Sequence, residues 1–129
     1  MSPEVEALLR IAEQSLDAAE TLLRHGHCRF SVSRSYYTMF YCVQALHLSQ
    51  GRSYSKHGAA IAGFGRHFVK AGLLDKQLHQ HLRRAFEDRQ RGDYEAMEDV
   101  SPETSRVAVE RSREFLNTAK AFLQGGTSA

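Results

Sequence analysis

The chain has 129 residues, of which 42% are hydrophobic and 25% are charged, and its formal net charge is +2 with histidine neutral. This length and composition are typical of one globular domain, which we expect to span residues 1–129 with a core over about residues 3–124. The small net charge excludes a general polyanion binder, so any contact with nucleic acid must come from a local patch.

The sequence carries no visible targeting feature. No apolar run approaches the roughly 18 residues that a membrane span needs, and the N-terminus is acidic, so we expect a cytoplasmic protein that does not bind a membrane. Cys28 and Cys42 lie 14 residues apart in one predicted helix, which separates them by roughly 21 Å. Because a disulfide needs Cα atoms within about 7 Å, we expect two reduced, buried thiols.

The first two segments have the patterns of helices. Ser2-Pro3-Glu4 supplies a capping hydroxyl, then proline, then a carboxylate at a helix start. Gly26 should end this helix, whose apolar residues recur every three or four positions and predict one buried stripe: Val5, Leu9, Ala12, Leu16, Ala19 and Leu23. The second segment, from about Cys28 to Gln50, is apolar on more than one stripe, which predicts a central helix that stops at Gly51.

Two further helical segments follow a polar turn at residues 51–55. The third contains Gly58, Gly63 and Gly65, which indicate close backbone packing or a shorter helix because glycine costs up to about 1 kcal/mol relative to alanine. It ends at Gly72, and its apolar face is Ile61, Phe64, Phe68 and Ala71. The fourth starts near Asp75, should end at Gly92, and presents along one side Leu78, Leu82, Ala85, Phe86 and Arg89.

The fifth segment begins with Ser101-Pro102-Glu103, which repeats the opening cap pattern. Its predicted stripe consists of Val107, Ala108, Arg111, Phe115, Thr118, Ala119 and Phe122. No segment alternates with period two, and both prolines stand at helix starts. These patterns predict an all-α fold, an antiparallel up-and-down bundle of about five helices.

Three groups of residues are candidates for chemistry, and the first is on the central helix. Arg34, Tyr37 and Tyr41 share a face because they stand at positions i, i+3 and i+7. An arginine beside two phenols can hold a phosphate while a base stacks on a ring. The alternative interpretation is that the tyrosines are core rings and that Arg34 pairs with a buried carboxylate.

The second candidate group stands at the start of the third helix. Lys56 and His57 in a first turn oppose the helix dipole unless an anion binds there, which indicates a phosphate site, and His57 can act as a general acid or base. The alternative is a solvated turn in which Ser55 caps the helix.

The third candidate is Arg89, which falls on the apolar stripe of the fourth helix. A charge at such a position needs a partner, so this residue either pairs structurally or binds an anion. Asp93 and Tyr94 follow Gly92 and resemble a structural lock at the helix end. We expect Arg34, His57 and Arg89 to converge with phenol rings on one anion-holding surface.

Most signatures of enzymes and metal sites are missing. The sequence has no phosphate-binding glycine loop, no nucleophile elbow and no His-Glu-x-x-His pair. His79 and His81 are two residues apart on a predicted helix and so point in different directions. We therefore predict no metal and no cofactor, and the sequence leaves open whether the chain is an enzyme.

Taken together, these segments resemble the small stand-alone proteins of the HEPN domain superfamily. The resemblance extends over roughly residues 5–124 in order and spacing. The stretches that carry it are Ser33-Arg34-Ser35-Tyr36-Tyr37-Thr38-Met39-Phe40, then Ala45-Leu46 and Gly51, Ser55-Lys56-His57-Gly58, residues 67–72, and Ala85-Phe86-Glu87-Asp88-Arg89-Gln90-Arg91-Gly92-Asp93-Tyr94.

The resemblance implies a helical homodimer associated with nucleotide or RNA binding. Proteins of this family are often encoded beside a minimal nucleotidyltransferase, and some are the toxin of a toxin–antitoxin pair. We therefore expect a module that engages a nucleotidyltransferase-family partner, with ligand-binding candidates at Arg34, Tyr37, Tyr41, Lys56, His57 and Arg89. A purely structural or regulatory dimer is the least specific alternative.

A metal-independent ribonuclease is the other alternative that the resemblance implies. Family nucleases use an Arg-x4–6-His motif, and Arg52 with His57 has that spacing, as phosphate clamp and acid–base catalyst respectively. However, about two such spacings are expected by chance in a chain this rich in arginine and histidine, so one occurrence carries no information. In the nucleases the motif also belongs to a late helix, and the fifth segment here contains no histidine.

Overall fold

The computed structural model describes residues 1–94 and 99–125, and for residues 92–94 it describes the backbone alone. The described residues form five α-helices and no strand, so the all-α bundle is confirmed. The helices are α1 (Pro3–Arg24), α2 (Cys28–Ser49), α3 (His57–Phe64), α4 (Lys76–Tyr94) and α5 (Pro102–Leu123), and a π-helical turn (Gly65–Val69) follows α3 directly. None of the helices in these ranges combines the length and apolarity that crossing a membrane requires.

The predicted helix ends are confirmed where the sequence carries capping chemistry. The Ser2 hydroxyl accepts a hydrogen bond from the backbone N–H of Val5 at 3.2 Å, and the Ser101 hydroxyl accepts one from Thr104 at 3.0 Å. Such bonds satisfy N–H groups that have no partner within the helix. Gly26 ends α1 with a φ of 80°, a conformation that side chains with a Cβ disfavour.

Helix α2 is the central helix, as predicted, and it contacts α1, α3, α4 and α5. Small side chains bring the backbones of α1 and α2 close together. The Ser31 hydroxyl donates to the Ala19 carbonyl and the Ser15 hydroxyl donates to the Arg34 carbonyl, both at 2.7 Å. Each buried hydroxyl is therefore satisfied across the helix interface. Cys28 and Cys42 are free and buried on the same helix.

A cluster of rings joins the second half of the chain to this centre. Phe64, Phe68 and Phe115 are at most 1% exposed, and the Phe64 ring centroid lies 5.7 Å from that of Phe68 and 5.4 Å from that of Phe115. The predicted stripes of α1 and α4 face this core, since Leu9, Ala12, Leu78 and Leu82 are buried.

Three sequence expectations about these segments need correction. Ala71, expected on the apolar face of the third segment, is exposed, because α3 ends at Phe64 and the π-helical turn ends at Val69. Lys56 rather than Ser55 is the N-cap residue of α3, and its side chain makes no capping bond. Helix α4 does not end at Gly92 but continues to Tyr94, since glycine inside a helix costs only about 1 kcal/mol.

The buried stripe of α5 also differs from the predicted one. Phe115 and Ala119 are buried as expected, but Val107, Ala108 and Arg111 are only half-buried. The residues that face the core on the first turns are Ser105, Val109 and Ser112. A search for apolar residues does not detect serine, but its small side chain suits the close contact of α5 with α2. The predicted lock at Asp93 and Tyr94 lies outside the described side chains.

The glycines of α3 give a direct stability test. A Cβ added at Gly63 would lie 2.5 Å from the Tyr54 hydroxyl oxygen, whereas one added at Gly58 meets nothing within 4 Å. We expect Gly63→Ala to lower the free energy of unfolding by about 1–3 kcal/mol through overpacking. Gly58→Ala should raise it by up to about 1 kcal/mol through helix propensity. Urea denaturation of the two variants measures both changes, and equal effects would contradict the close packing.

Candidate functional site

The first residue of α3, His57, packs against a cluster of rings on α2. Tyr36 is fully buried, and its hydroxyl oxygen lies 2.6 Å from Nδ1 of His57. The Phe40 ring stacks on the His57 ring with centroids 4.0 Å apart, and Phe86 of α4 leans on Tyr36 at 5.5 Å. Tyr36 and Phe40 are one helical turn apart, so they present one continuous surface to the imidazole. The orientation of His57 is fixed by these contacts.

Two arginines lie over the phenols of this cluster. The Arg34 guanidinium carbon is 4.7 Å from the centroid of Tyr37, and that of Arg89 is 5.1 Å from Tyr37 and 5.7 Å from Tyr36. Cations at these distances are attracted to the ring faces. We call Arg34, Tyr36, Tyr37, His57 and Arg89 the Arg–Tyr cluster. The structure thus brings together Arg34, His57 and Arg89, as the sequence predicts.

The hydrogen positions in the Arg–Tyr cluster follow from burial. Burial raises the pKa of Tyr36 well above its ordinary value, and burial together with the Arg89 charge lowers the pKa of His57. Both groups are therefore neutral near pH 7. A buried phenol must place its hydrogen on an acceptor, so Tyr36 donates to Nδ1 and the imidazole carries its own hydrogen on Nε2.

These pKa directions predict that acid destabilises the fold. Burial also lowers the pKa of His47, a residue of α2 that is 1% exposed. When a histidine pKa is lower in the folded state, the unfolded chain binds more protons below its own pKa of about 6.5. The free energy of unfolding should therefore be constant above about pH 7 and fall as the pH drops below about 6.5. Urea midpoints between pH 5 and 8 measure this profile.

A matched control separates buried from exposed histidines in that experiment. His25 is exposed after α1, so His25→Gln should keep the wild-type profile. A midpoint that is flat or that rises on acidification would contradict the neutral state of His47 and His57.

The Arg–Tyr cluster is a surface site rather than a closed cavity. Tyr36 is buried beneath it, whereas Arg34, Tyr37, His57 and Arg89 are half-buried at its rim. Among the described residues, Arg34 has no carboxylate within ion-pair distance, and Asp88 pairs with Arg84 at 3.1 Å. Within the part of the chain that the structure describes, no carboxylate therefore occupies the guanidinium N–H groups of Arg34.

The remaining predicted site residues lie around or away from this cluster. The Tyr41 ring centroid lies 6.0 Å from that of Tyr37 and extends the row of rings, and Lys56 is exposed beside His57. Arg52 contacts a different set of groups: its guanidinium hydrogen-bonds to Gln50 and lies 5.9 Å from the Phe68 ring centroid. The predicted clamp and the predicted acid–base residue thus belong to different side-chain environments.

Tyr36, Phe40 and Phe86 were not assigned to the site from sequence. Their helical spacing carried a signal, because Tyr36 and Phe40 stand four apart and Phe86 and Arg89 three apart. The same spacing is typical of ordinary core residues. Tyr36 gains its polar partner only through the contact of α3 with α2. Sequence spacing within one helix does not report which residue of another helix it meets.

The histidines of α4 point in different directions, as predicted. Nε2 of His79 donates to the Ile61 carbonyl at 3.2 Å, whereas His81 lines a cavity between α4 and α5 together with Arg111. Within residues 1–94 and 99–125, no three His, Cys, Asp or Glu side chains are grouped as a metal site requires.

Comparison with known proteins identifies the family. A model described as the HEPN domain matches residues 5–122. The chain is 37% identical over 120 residues to "Putative toxin MJ0142" of Methanocaldococcus jannaschii, which covers 93% of this chain and 82% of that protein. It is 40% identical over 124 residues to "UPF0332 protein glr0978" of Gloeobacter violaceus, covering 95% and 98%. A "UPF0332 protein" of Thermotoga maritima is 35% identical over 120 residues, covering 93% and 91%. The chain therefore belongs to the HEPN domain family.

Proposed function

We propose that this chain is a toxin-like HEPN module whose Arg–Tyr cluster binds the phosphate of a nucleotide or of RNA. The observation that carries the proposal is the position of Arg34 and Arg89 over adjacent phenol rings, beside the imidazole of His57. Two relatives, both from M. jannaschii, are named putative toxins, which supports the toxin-like role.

The chemistry of the cluster suits a phosphate better than an uncharged, apolar ligand. A guanidinium can donate two parallel hydrogen bonds to phosphate oxygens, and such charge-assisted bonds are roughly twice as strong as neutral ones. The Nε2–H of His57 adds a third donor. The half-buried Tyr37 and Tyr41 rings offer stacking surfaces for a base, each worth about 1–3 kcal/mol in single-stranded nucleic acid complexes.

The protonation of His57 favours binding over ribonuclease chemistry. A general base must accept a proton at an atom that faces the substrate. In the neutral ring inferred above, Nδ1 already accepts the Tyr36 hydrogen and Nε2 already carries one. His57 can therefore hold a phosphate oxygen by donation, whereas removal of a 2′-hydroxyl proton would require the other tautomer.

A protein partner is the second part of this proposal. A surface of half-buried arginines and phenols is suited to contact with a second copy or with another protein, since both residue types are enriched at interfaces. We propose a homodimer, and a nucleotidyltransferase-family protein as the antitoxin-like partner. Both would lie close to the nucleotide phosphate that the cluster holds.

The proposal is tested by ligand-induced stabilisation and by co-purification. The melting temperature of the wild type should rise with ATP or with a short single-stranded RNA, since a ligand that binds only the folded state stabilises it. The product of the neighbouring gene, when co-expressed, should co-purify and relieve growth arrest caused by the chain alone. Absence of any shift together with absence of a complex would overturn the proposal.

A further inference from the structure

The charges of the chain are divided unevenly along its sequence. All 15 Asp and Glu residues lie in residues 1–20 and 75–129. Residues 21–74, which include α2, α3 and the π-helical turn, contain seven Lys or Arg residues and no Asp or Glu. The net charge of +2 therefore conceals a strongly basic segment, and the local charge of a surface determines which ligands it attracts.

Three exposed cations of this segment lie along α3 and the turn that follows it. Lys56 precedes α3, Arg66 is in the π-helical turn and Lys70 comes directly after the turn. Within residues 1–94 and 99–125, no carboxylate lies within ion-pair distance of these three side chains. Asp75, the next carboxylate along the chain, accepts the backbone N–H of Gln77 at 2.8 Å. The three positive charges are therefore not neutralised by the described residues.

The exposed side of α3 is smooth between these cations. Four exposed residues recur every three or four positions and so share one side of the helix: Lys56, Ala59, Ala62 and Arg66. The first and last of them are ten residues apart, which separates them by roughly 15 Å along the axis. The two alanine methyl groups project little from the helix. An extended ligand can therefore lie close against α3 while its charges meet the cations at both ends.

The π-helical turn carries additional positive charge beside Arg66. Burial, and then the charges of Arg52 and Arg66, lower the pKa of His67, so both guanidinium groups lie near this ring. Arg52 reaches the turn from the loop after α2, and its guanidinium carbon lies 5.9 Å from the Phe68 ring centroid. Single π-helical turns are frequent at functional sites.

The basic side of α3 is continuous with the Arg–Tyr cluster. His57, the first residue of α3, belongs to the cluster, and the exposed Lys56 is its neighbour in the chain. Arg66 is nine residues beyond His57, roughly 13 Å along the helix axis. A mononucleotide has its phosphates at one end, whereas a polynucleotide carries a phosphate on every residue. The Tyr37 and Tyr41 rings stack with bases that are unpaired, which favours a single strand.

We propose that the exposed side of α3 and the π-helical turn holds the backbone of a single-stranded polynucleotide, with Lys56, Arg66 and Lys70 contacting phosphates beyond the one at the Arg–Tyr cluster. This inference rests on the proposed phosphate binding at the cluster and adds the class of ligand, a polymer rather than a mononucleotide. Contacts with phosphates position a strand without reading its sequence, so binding along α3 is independent of the bases.

The test is fluorescence anisotropy with labelled ATP and with a labelled single-stranded oligouridylate of about 12 nucleotides. For single strands, each phosphate contact contributes a slope of about −0.7 to the dependence of log affinity on log salt concentration. Arg66→Gln/Lys70→Gln should therefore reduce the magnitude of the oligonucleotide slope by about 1.4 and weaken binding about 10- to 30-fold at about 0.1 M salt. Its affinity for ATP should change less than about threefold, through long-range attraction only.

A control with the same loss of charge shows whether the position of the cations matters. Arg10→Gln/Arg113→Gln removes two cations from α1 and α5 and should change the oligonucleotide slope by less than about 0.5. Circular dichroism verifies that both double variants are folded. Equal losses of oligonucleotide binding in the two double variants would overturn the proposal.

A carboxylate placed on α3 tests the path of the strand without removing any cation. Ala62→Glu should weaken oligonucleotide binding about fivefold or more, because the carboxylate repels the phosphates, whereas Ala62→Gln has nearly the same size and should bind like the wild type. Equal affinities of these two variants would mean that the strand does not follow α3.

Two further results separate this inference from its alternatives. Polyglutamate has no base to stack, so it should displace the oligonucleotide at least about tenfold more weakly than unlabelled oligonucleotide does. Equal displacement would indicate a docking surface for an acidic protein and overturn the polynucleotide. If ATP binds in an Arg34-dependent manner but the oligonucleotide binds no more tightly than ATP, the inference about α3 fails alone. If neither ligand binds, the proposed phosphate site fails as well.

Discussion

Arg34→Gln is expected to bind a nucleotide or RNA about 10- to 100-fold more weakly than the wild type. The substitution removes guanidinium donors to a phosphate, and hydrogen bonds to charged groups contribute about 1.5–3 kcal/mol each. It leaves the Arg34 carbonyl in place, which accepts the Ser15 and Thr38 hydroxyls and helps join α1 to α2. The loss should therefore appear in affinity, measured by fluorescence anisotropy with labelled ATP and labelled RNA, and not in stability.

Two further variants make the result specific to the cluster. Arg34→Lys keeps the positive charge but loses the planar fork, so its affinity should lie between those of the wild type and Arg34→Gln. Arg10→Gln removes an equal charge from an exposed position on α1 and should cost less than about threefold, through long-range attraction only. Equal losses in Arg10→Gln and Arg34→Gln would mean that net charge, rather than the Arg–Tyr cluster, accounts for the binding.

Phe64→Ala is expected to lower the free energy of unfolding by about 3–5 kcal/mol, which is the usual cost of removing a fully buried ring. Phe64 is 0% exposed and contacts Phe68, Phe115 and the His79 ring, so one side chain joins α3 to α4 and α5. Small domains have total stabilities of about 5–15 kcal/mol, so this variant should be close to unfolding at room temperature.

Phe30→Ala is the matched control for that substitution. Phe30 is the same residue type on α2 but is 60% exposed, and its removal should change the free energy of unfolding by less than about 0.5 kcal/mol. Both values come from urea denaturation followed by circular dichroism. A loss below about 1 kcal/mol for Phe64→Ala would contradict a single core shared by α3, α4 and α5.

The helices could be predicted from the sequence because their signals are local. Serine, proline and glutamate at Ser2 and Ser101 mark helix starts through hydrogen bonds within one turn, and Gly26 and Gly51 end helices through their own backbone conformation. Gly92 is the same residue type, but it lies inside α4 and its backbone is helical. A glycine permits a left-handed end without requiring one, so the end of α4 depends on surroundings that composition does not encode.

The site was only partly accessible to the same reasoning. Arg34 and Tyr37 share a turn of α2, so their contact follows from helical spacing. The meeting of Tyr36 with His57, 21 residues later, depends on how α3 packs on α2, and no periodic pattern reports that. The predicted stripe of α5 was wrong for a related reason. Ser105 and Ser112 are buried because their side chains are small, and a search for apolar residues overlooks them.

The two cysteines of α2 can report where the folded molecule opens. Cys42 is 0% exposed, and burial raises the pKa of its thiol. In the native state this thiol is therefore neither accessible to an alkylating reagent nor ionised to the reactive thiolate. Cys28 is also buried, and it is the first residue of the helix. Labelling of each thiol therefore reports a different event: separation of helices at the start of α2, or at its middle. Because the two sulfhydryls sit on the one helix that touches all the others, their relative labelling rates distinguish local fraying from cooperative unfolding.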